Sequence, residues 1–280
     1  ILGKTLRSFQ NYIMSLFSKK KLIVAGCSYT DNYAMKIHIQ PFPIWAELLA
    51  DKLDMELVNL GNCGDGNEAI WSKVTDEIVS TKNIGLVVVG WSEVERTSFF
   101  AEVYNRRMAV YQHQWESFKP GRKIEEVENK SDVEINTFRE GKAFKISEIF
   151  DKYHLMDLTA GTQKTLRYIY NFQSICTSLK IPHLHFQACY PNADGDTITD
   201  MQRFGKELIN SPYLSLIEDT TFLGWPISEH IGGWCWDYLM DQKDPSRNKM
   251  RITKKDTHPN EMGHEYIMEI LLDGYKKNYS

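Results

Sequence analysis

The sequence has 280 residues, of which 42% are hydrophobic and 25% are charged, close to the averages for soluble globular proteins. These values exclude an intrinsically disordered chain, a collagen-like chain and a small disulfide-stabilised protein. Lys plus Arg total 33 and Asp plus Glu total 37, so the net charge is -4. The chain therefore lacks the basic excess that is typical of a dedicated nucleic-acid-binding protein.

Residues 1–20 predict an amphipathic helical extension that packs on the domain, with binding to a membrane surface as the alternative. Charges interrupt its apolar residues, and a basic cluster follows them at 19–21. A signal peptide has the opposite order. No apolar run approaches the roughly 18 residues that a membrane-spanning helix needs. The five cysteines are odd in number and widely spaced, which favours reduced thiols and a cytoplasmic location.

Short apolar runs alternate with segments of helical periodicity along much of the chain. The predicted strands are 21–26, 56–60, 86–90 and 182–188, and the predicted helices are 45–53, 67–81, 162–179 and 260–277. This order predicts a single α/β domain over 21–280, with a parallel sheet and helices on both faces. Residues 94–159 and 190–252 break the pattern, and we interpret them as two insertions that cover the active end of the sheet.

Four loops of this arrangement carry distinctive residues. They are Gly26-Cys27-Ser28-Tyr29, Asn59-Leu60-Gly61-Asn62-Cys63-Gly64-Asp65, Gly90-Trp91-Ser92-Glu93 and Asp256-Thr257-His258-Pro259. The first three follow predicted strands, where open parallel sheets bind their ligands. A serine on such a turn can present its hydroxyl and its own N–H to one substrate atom, and a nearby glycine lets a second N–H approach. An Asp beside a His can fix the tautomer that accepts a proton from serine.

In this order, the four motifs resemble those of the SGNH, or GDSL, hydrolase family. The resemblance implies a flavodoxin-like, three-layer α/β/α sandwich with a central parallel sheet of about five strands. It implies serine esterase or acyl hydrolase activity, with Ser28 as nucleophile, His258 as general base and Asp256 as the partner of that base. The implied oxyanion hole comprises the N–H groups of Ser28 and Gly64, with Ser92 at the family's Asn position. No metal or organic cofactor is implied.

Two departures from the family pattern bear on activity. Ser92 replaces the Asn whose side chain completes the oxyanion hole, and losing such a donor costs about 10²–10³ in rate. The Ser92 hydroxyl, Asn62 and Asn67 are alternative donors. Asp256 lies two positions before His258 where the family usually has three, so the triad requires a tight turn.

The candidates for substrate binding are Asn67, Trp91, Arg96 and Trp234. Arg96 suits an anionic substrate group, or an ion pair with Glu93 or Glu95. The aromatic residues near 225–238 are typical of a sugar-stacking wall, a lid or a core. The expected substrate is a small-molecule or carbohydrate-linked acyl ester, such as an O-acetyl ester, with no nucleic-acid partner and no stable membrane insertion.

Two other functions fit the sequence. A chain that keeps the fold but has lost the chemistry would be a binding or assembly protein, and the replaced Asn favours this alternative. A metal-dependent phosphoesterase would use Asp256, His258 and His264 as ligands. His183 and His185 alternate on a predicted strand and form a second candidate metal cluster.

Overall fold

A parallel sheet of five strands forms the centre of the computed structural model, which describes residues 19–32, 41–105, 110–118, 142–192, 198–254 and 256–280. In chain order the strands are β1 (Lys21–Gly26), β2 (Glu56–Asn59), β3 (Ile84–Trp91), β4 (Thr97–Asn105), β5 (Val110–Phe118), β6 (His183–Gln187) and β7 (Phe222–Leu223). The helices are α1 (Trp45–Leu53), α2 (Asn67–Ser80), α3 (Lys142–Lys152), α4 (Leu158–Ser178), α5 (Ile198–Ile209), α6 (Trp236–Lys243) and α7 (Glu261–Tyr279), with a short 3₁₀ helix at Glu229–Ile231. The sheet order is β2-β1-β3-β6-β7, which confirms the predicted parallel sheet.

Helices cover both faces of the sheet because its central strands are apolar on both sides. In β1, Leu22 and Val24 belong to the core on one face. Ile23 and Ala25 belong to the core on the other face, and all four side chains are fully buried. Residues of α1 and α7 complete the first core, and residues of α2 and α4 complete the second. The result is the three-layer α/β/α sandwich that the sequence predicts.

A buried histidine lies at the contact between α1 and α7. His264 accepts a hydrogen bond from the backbone N–H of Trp45, with 3.2 Å between Nδ1 and the nitrogen. The imidazole also packs against the rings of Trp236 and Phe42. Burial lowers the pKa of His264 to about 3, and His258 adds to this effect. His264 is therefore a neutral acceptor that holds the two helices together.

We expect acid to destabilise the fold through His264. Its contribution to stability is complete above about pH 6.5, where histidine of the unfolded chain is neutral, and is lost as the pH falls from there toward the folded-state pKa. The loss amounts to about 1.4 kcal/mol per pH unit, or about 2 kcal/mol by pH 5. His264→Asn keeps an acceptor that does not titrate. Urea denaturation should therefore give a smaller drop in the free energy of unfolding for the variant, between about pH 7.5 and about pH 5. Equal drops would contradict the assignment.

The first expected insertion contains a β-hairpin and a helix, which the sequence pattern did not predict. β4 and β5 pair antiparallel, and Phe118 at the end of β5 packs against Phe150 of α3 with 5.1 Å between ring centroids. The hairpin also meets the start of α2, where the Gly66 N–H donates to Ser117 Oγ at 3.1 Å. Because α2 follows β2, the hairpin borders the carboxyl ends of the strands.

The second expected insertion, residues 190–252, is partly built into the sandwich. β7 pairs with β6 and forms the fifth strand of the sheet. α5 buries Phe204 and Leu208 in the core that α4 covers. The interpretation of the whole segment as an insertion is therefore corrected. A strand of two residues is too short to produce a periodic pattern in the sequence.

Three other expectations concern the chain as a whole. Residues 1–18 of the predicted N-terminal helix lie outside the described residues. None of the described helices has both the length and the apolar character needed to cross a bilayer. All five cysteines are free thiols.

Candidate active site

Ser28 lies on the turn that follows β1. The Cys27 carbonyl accepts hydrogen bonds from the backbone N–H groups of Thr30 at 2.9 Å and Asp31 at 3.0 Å, which close the turn around Ser28. Gly26 ends the strand, and a Cβ at this position would collide with the Thr30 side chain. The serine hydroxyl is therefore placed at the carboxyl edge of the sheet by a turn with little freedom.

His258 and Asp256 reach Ser28 from the turn just before α7. Nε2 of His258 lies 2.9 Å from Ser28 Oγ, and Nδ1 lies 2.6 Å from Asp256 Oδ1. The same carboxylate oxygen accepts the backbone N–H of His258 at 3.2 Å. When Nδ1 carries its proton toward the carboxylate, Nε2 is the acceptor for the serine hydroxyl. The three side chains form one continuous hydrogen-bonded chain.

The short spacing between Asp256 and His258 is possible because the turn is tight. The Asp256 N–H donates to Thr253 Oγ1 at 2.8 Å, and the Thr253 N–H donates to the Asp256 carbonyl at 3.0 Å. On the other side, the His258 carbonyl accepts the Ile252 N–H at 2.9 Å. These bonds fold the segment back on itself, so that the carboxylate faces both the backbone nitrogen and Nδ1 of His258.

Two backbone N–H groups in the loops after β1 and β2 are uncommitted. In the part of the chain that the structure describes, the N–H groups of Ser28 and Gly64 make no hydrogen bond. Gly64 has φ of +89°, and no atom lies within 4 Å of a Cβ built there. The buried Asp65 fixes the turn, because it pairs with Lys73 at 2.5 Å and accepts Asn62 Nδ2 at 2.9 Å. The side-chain amide of Asn62 thus donates its hydrogen bonds within the loop.

Asn59 joins the loop after β2 to the loop after β1. Its Nδ2 donates to the Thr30 carbonyl at 2.9 Å, and its Oδ1 accepts the Gly61 N–H at 2.8 Å. Gly61 permits this approach, since a Cβ would lie 2.8 Å from the Thr30 carbonyl carbon and 2.9 Å from the Asp31 nitrogen. The two loops are therefore fixed to each other.

Ser92 and Asn67 lie behind the site. Ser92 is fully buried and is not part of the cavity lining. Its N–H donates to Asn67 Oδ1 at 2.7 Å, and Asn67 Nδ2 donates to the Ser92 carbonyl at 3.0 Å and to Thr165 Oγ1 at 3.1 Å. The expectation that Asn67 contacts substrate is therefore corrected, because both ends of its amide hold the loop after β3. An oxyanion donor at Ser92 lacks support, because its hydroxyl is sealed from the cavity.

The two tryptophan candidates for substrate binding pack against the hydrophobic core, Trp234 with part of its side chain exposed. Trp91 is fully buried, and its Nε1 donates to His185 Nδ1 at 3.3 Å. Its ring lies 6.1 Å from that of Phe172. Trp234 packs so closely on Gly224 that a Cβ there would overlap the indole, and it does not line the cavity. The expectation that these tryptophans contact substrate is corrected, because aromatic composition alone does not separate a binding wall from a core.

Ser28 and His258 open into a cavity of about 310 Å³. The charged residues in its lining are Glu93, Arg96, Asp237, Arg247 and Arg251. Arg96, a candidate for substrate binding, is part of this lining and also pairs with Glu93 at 3.2 Å. Burial opposes the charge of Arg96, but the Glu93 carboxylate reverses the effect and raises the pKa of the guanidinium. The cavity is therefore polar, and Arg96 is charged.

Within the described ranges, the structure does not bring the third ligand of the metal-dependent alternative, His264, into a group with Asp256 and His258. His264 directs Nδ1 to the Trp45 N–H in the core. His183 and His185 are also buried, and burial lowers the pKa of both. Among the described residues, no three His, Cys, Asp or Glu side chains form a group that could hold a metal ion.

Sequence reasoning missed three residues that join the loops of the site, namely Tyr29, Asp237 and Arg251. Tyr29 Oη donates to Asp237 Oδ1 at 2.8 Å, and Arg251 Nη1 donates to the same oxygen at 2.5 Å. All three side chains are buried. Their charges and spacing form no recognisable motif, and Asp237 and Arg251 lie in a region that the sequence pattern leaves irregular. The one available signal was the position of Tyr29 beside Ser28.

The sequence matches no family model and no curated protein. Solved structures match the chain. A catalytic mutant of Axe2, an acetylxylan esterase from Geobacillus stearothermophilus, is 11% identical with a TM-score of 0.45, over 92% of this chain and 94% of that chain. The psychrotrophic esterase EstA from Pseudoalteromonas sp. is 12% identical with a TM-score of 0.44, over 92% and 97%. A member of the lipolytic protein G-D-S-L family from Veillonella parvula DSM 2008 is 9% identical with a TM-score of 0.41, over 93% and 98%. At these values the similarity does not bear on activity.

We expect Asn59→Ala to lower the free energy of unfolding by about 1–2 kcal/mol, because it removes the hydrogen bond between the two loops and a second one within the loop after β2. Asn248→Ala is the matched control, since Asn248 is as exposed as Asn59 but does not join two loops. Its effect should stay within about 0.5 kcal/mol. Urea denaturation measures both values. Equal effects of the two substitutions would show that Asn59 does not hold the loops together.

Proposed function

We propose that the protein is a serine-dependent ester hydrolase or acyltransferase of the SGNH type. The observation that carries the proposal is the continuous hydrogen-bonded chain from Ser28 Oγ through His258 to Asp256. Its distances of 2.9 and 2.6 Å lie within the range expected for a nucleophile, its general base and the group that orients the base. The chain also stands at the carboxyl edge of the sheet, where α/β folds bind their ligands.

The mechanism follows from these positions. Ser28 Oγ attacks the acyl carbonyl carbon while His258 Nε2 accepts its proton, and the Asp256 carboxylate stabilises the imidazolium that forms. The N–H groups of Ser28 and Gly64 bind the oxyanion of the tetrahedral intermediate. His258 then gives the proton to the departing alcohol, which leaves the acyl group on Ser28. Water, or an acceptor hydroxyl in an acyltransferase, releases the acyl group by the same proton transfers.

The cavity favours a small, polar ester. Its volume of about 310 Å³ is at the lower end of the range for small-molecule sites, about 300–1,000 Å³. The charged side chains in the lining disfavour a long acyl chain. Such a chain, buried beside these side chains, would leave their charges poorly solvated. A short acyl group, such as acetyl, on a hydrophilic or carbohydrate-linked alcohol fits both properties.

The alternatives have weaker support. A protein that only binds or assembles has no need for a serine, a histidine and an aspartate aligned at hydrogen-bonding distance. A metal-dependent phosphoesterase would need His264 beside His258 as a ligand, whereas His264 faces Trp45 in the core. A chelator distinguishes this alternative, because activity through Ser28 does not depend on a divalent ion.

We expect a fluorophosphonate probe to form a covalent adduct on Ser28, located by peptide mass mapping. Ser28→Ala should abolish the adduct and lower kcat for a small ester such as p-nitrophenyl acetate by at least about 10³-fold. Ser80→Ala is the control, because Ser80 is an exposed serine at the far end of α2. An unlabelled, folded protein that also fails to hydrolyse small esters would favour the binding protein.

Asp256→Asn should keep the shape of the turn but remove the charge that orients His258. We expect kcat to fall by about 10²–10⁴-fold, because the neutral amide no longer favours the productive tautomer or the imidazolium. Combining Asp256→Asn with His258→Ala should cost little more than His258→Ala alone, since the two residues act as a unit. Steady-state kinetics on p-nitrophenyl acetate measure these effects. A threefold or smaller loss in Asp256→Asn would remove Asp256 from the mechanism.

A further inference from the structure

A buried ion pair lies between the two loops that carry the proposed nucleophile and base. Arg251 and Asp237 have side chains that are 2% and 8% exposed, and 2.5 Å separates Arg251 Nη1 from Asp237 Oδ1. Both residues line the cavity into which Ser28 opens. Neither takes part in the proton transfers proposed above.

The guanidinium of Arg251 binds the backbone of the loop that carries His258. Nη1 donates to the carbonyl of Thr257, the residue directly before His258, at 2.5 Å. Nη2 donates to the Asp237 carbonyl at 3.2 Å and to Asp241 Oδ1 at 2.7 Å. Together with the bond to Asp237 Oδ1, these are four bonds from one planar fork of donors, and they fix the Thr257 carbonyl relative to α6.

The carboxylate of Asp237 holds the Ser28 loop in the same way. Oδ1 accepts the phenol of Tyr29, the residue directly after Ser28, at 2.8 Å, and Oδ2 accepts the Tyr190 N–H at 3.0 Å. The Tyr29 ring also lies 5.3 Å from the His258 ring, between centroids. One carboxylate therefore links the nucleophile loop, the loop after β6 and the arginine.

The two donors to Asp237, the guanidinium of Arg251 and the phenol of Tyr29, keep the protonation states that these bonds require. Burial disfavours the charge of Arg251, but the adjacent Asp237 carboxylate reverses this effect and raises the pKa of the guanidinium. Burial and the Asp237 charge raise the pKa of Tyr29 well above its usual value. The phenol thus remains a donor and the arginine remains a cation at neutral pH.

We propose that Arg251 is a positioning residue for catalysis, which acts with Asp237 and Tyr29 to hold Ser28 Oγ and His258 Nε2 at hydrogen-bonding distance. The inference rests on the proposed function, because it concerns the same reaction. A buried ion pair often adds little net stability, whereas directional bonds to two loops set their separation. A displacement of about 1 Å at the reacting atoms costs about 10²-fold in rate.

Arg251→Lys tests the proposal, because it keeps the charge and removes the fork of donors. We expect kcat for p-nitrophenyl acetate and the rate of fluorophosphonate labelling of Ser28 to fall by about 10–100-fold, with KM changed by less than about threefold. Tyr29→Phe is a milder variant that loses only the bond to Asp237. It should lower both rates by about 3–10-fold. The double variant should lose less than the product of the two single effects, because both substitutions break one network.

Asp244→Asn is the control for general destabilisation. Asp244 is a buried carboxylate in the same segment of the chain, but it bonds Ser246, Lys249 and Met250 and contacts neither loop. Measured well below its unfolding temperature, this variant should keep the unsubstituted kcat. If Arg251→Lys does not fold, the Tyr29→Phe rates decide the question.

The outcomes separate this inference from the proposed function. Labelling of Ser28 in the unsubstituted protein, with slower labelling in the Arg251→Lys and Tyr29→Phe variants, supports the positioning role. Labelling at unchanged rates in both variants overturns the positioning role and leaves the serine mechanism intact. No labelling and no hydrolysis by the folded, unsubstituted protein overturns both. If Asp244→Asn loses as much activity as Arg251→Lys, the effect of Arg251 is one of general stability, and the positioning role is overturned.

Discussion

The contact between Ser28 Oγ and His258 Nε2 joins residues 230 positions apart, and much of the structure serves to keep that distance at 2.9 Å. Ser28 depends on β1, one of the central strands of the sheet, whereas His258 stands just before α7 at the other end of the chain. The two meet because α7 packs on the same face of the sheet as α1, where the Trp45 N–H reaches His264. The apolar packing that stabilises the sandwich therefore also sets the distance between the proposed nucleophile and its base.

Crowding at the carboxyl edge of the sheet is the second constraint on the site. The loops after β1, β2 and β3 converge there, and glycines, which lack a side chain, leave room for these loops to pack closely. A Cβ on Gly61 would meet the backbone of the Ser28 turn, and one on Gly90 would lie 3.2 Å from Phe186 Cζ. Side-chain amides then lock the loops, Asn59 between the first and second and Asn67 between the second and third. A nucleophile on a loop that is fixed to its neighbours needs little reorganisation before reaction, which is the condition for efficient positioning.

The sequence predicts the elements whose pattern is local, and fails where an element depends on distant contacts. The helix expected at 45–53 is Trp45–Leu53, and the apolar runs of β1 and β3 are central strands, because burial on both faces leaves a continuous hydrophobic signature. β7 has two residues and is a strand only through its pairing with β6, so no period reveals it. The same difference between local patterns and distant contacts separates the site residues that the sequence predicts from those that it misses. Ser28, Gly64, Asp256 and His258 form motifs, whereas Tyr29, Asp237 and Arg251 become a network only after folding.

The arrangement of charges in the cavity lining also affects which charge a substrate can carry. Each arginine of the lining is matched by a carboxylate, since Arg96 pairs with Glu93, Arg247 with Asp241 and Arg251 with Asp237 and Asp241. Paired charges keep the wall hydrophilic but cancel much of the long-range field that would draw in a strongly anionic ligand. A phosphate monoester would have to compete with carboxylates for every guanidinium. A neutral ester with hydroxyl groups can instead share hydrogen bonds with the paired side chains without breaking the pairs. The charge arrangement thus supports the proposal of an uncharged, hydroxyl-rich acyl ester, for which the charges that develop are the oxyanion beside Ser28 and the imidazolium of His258.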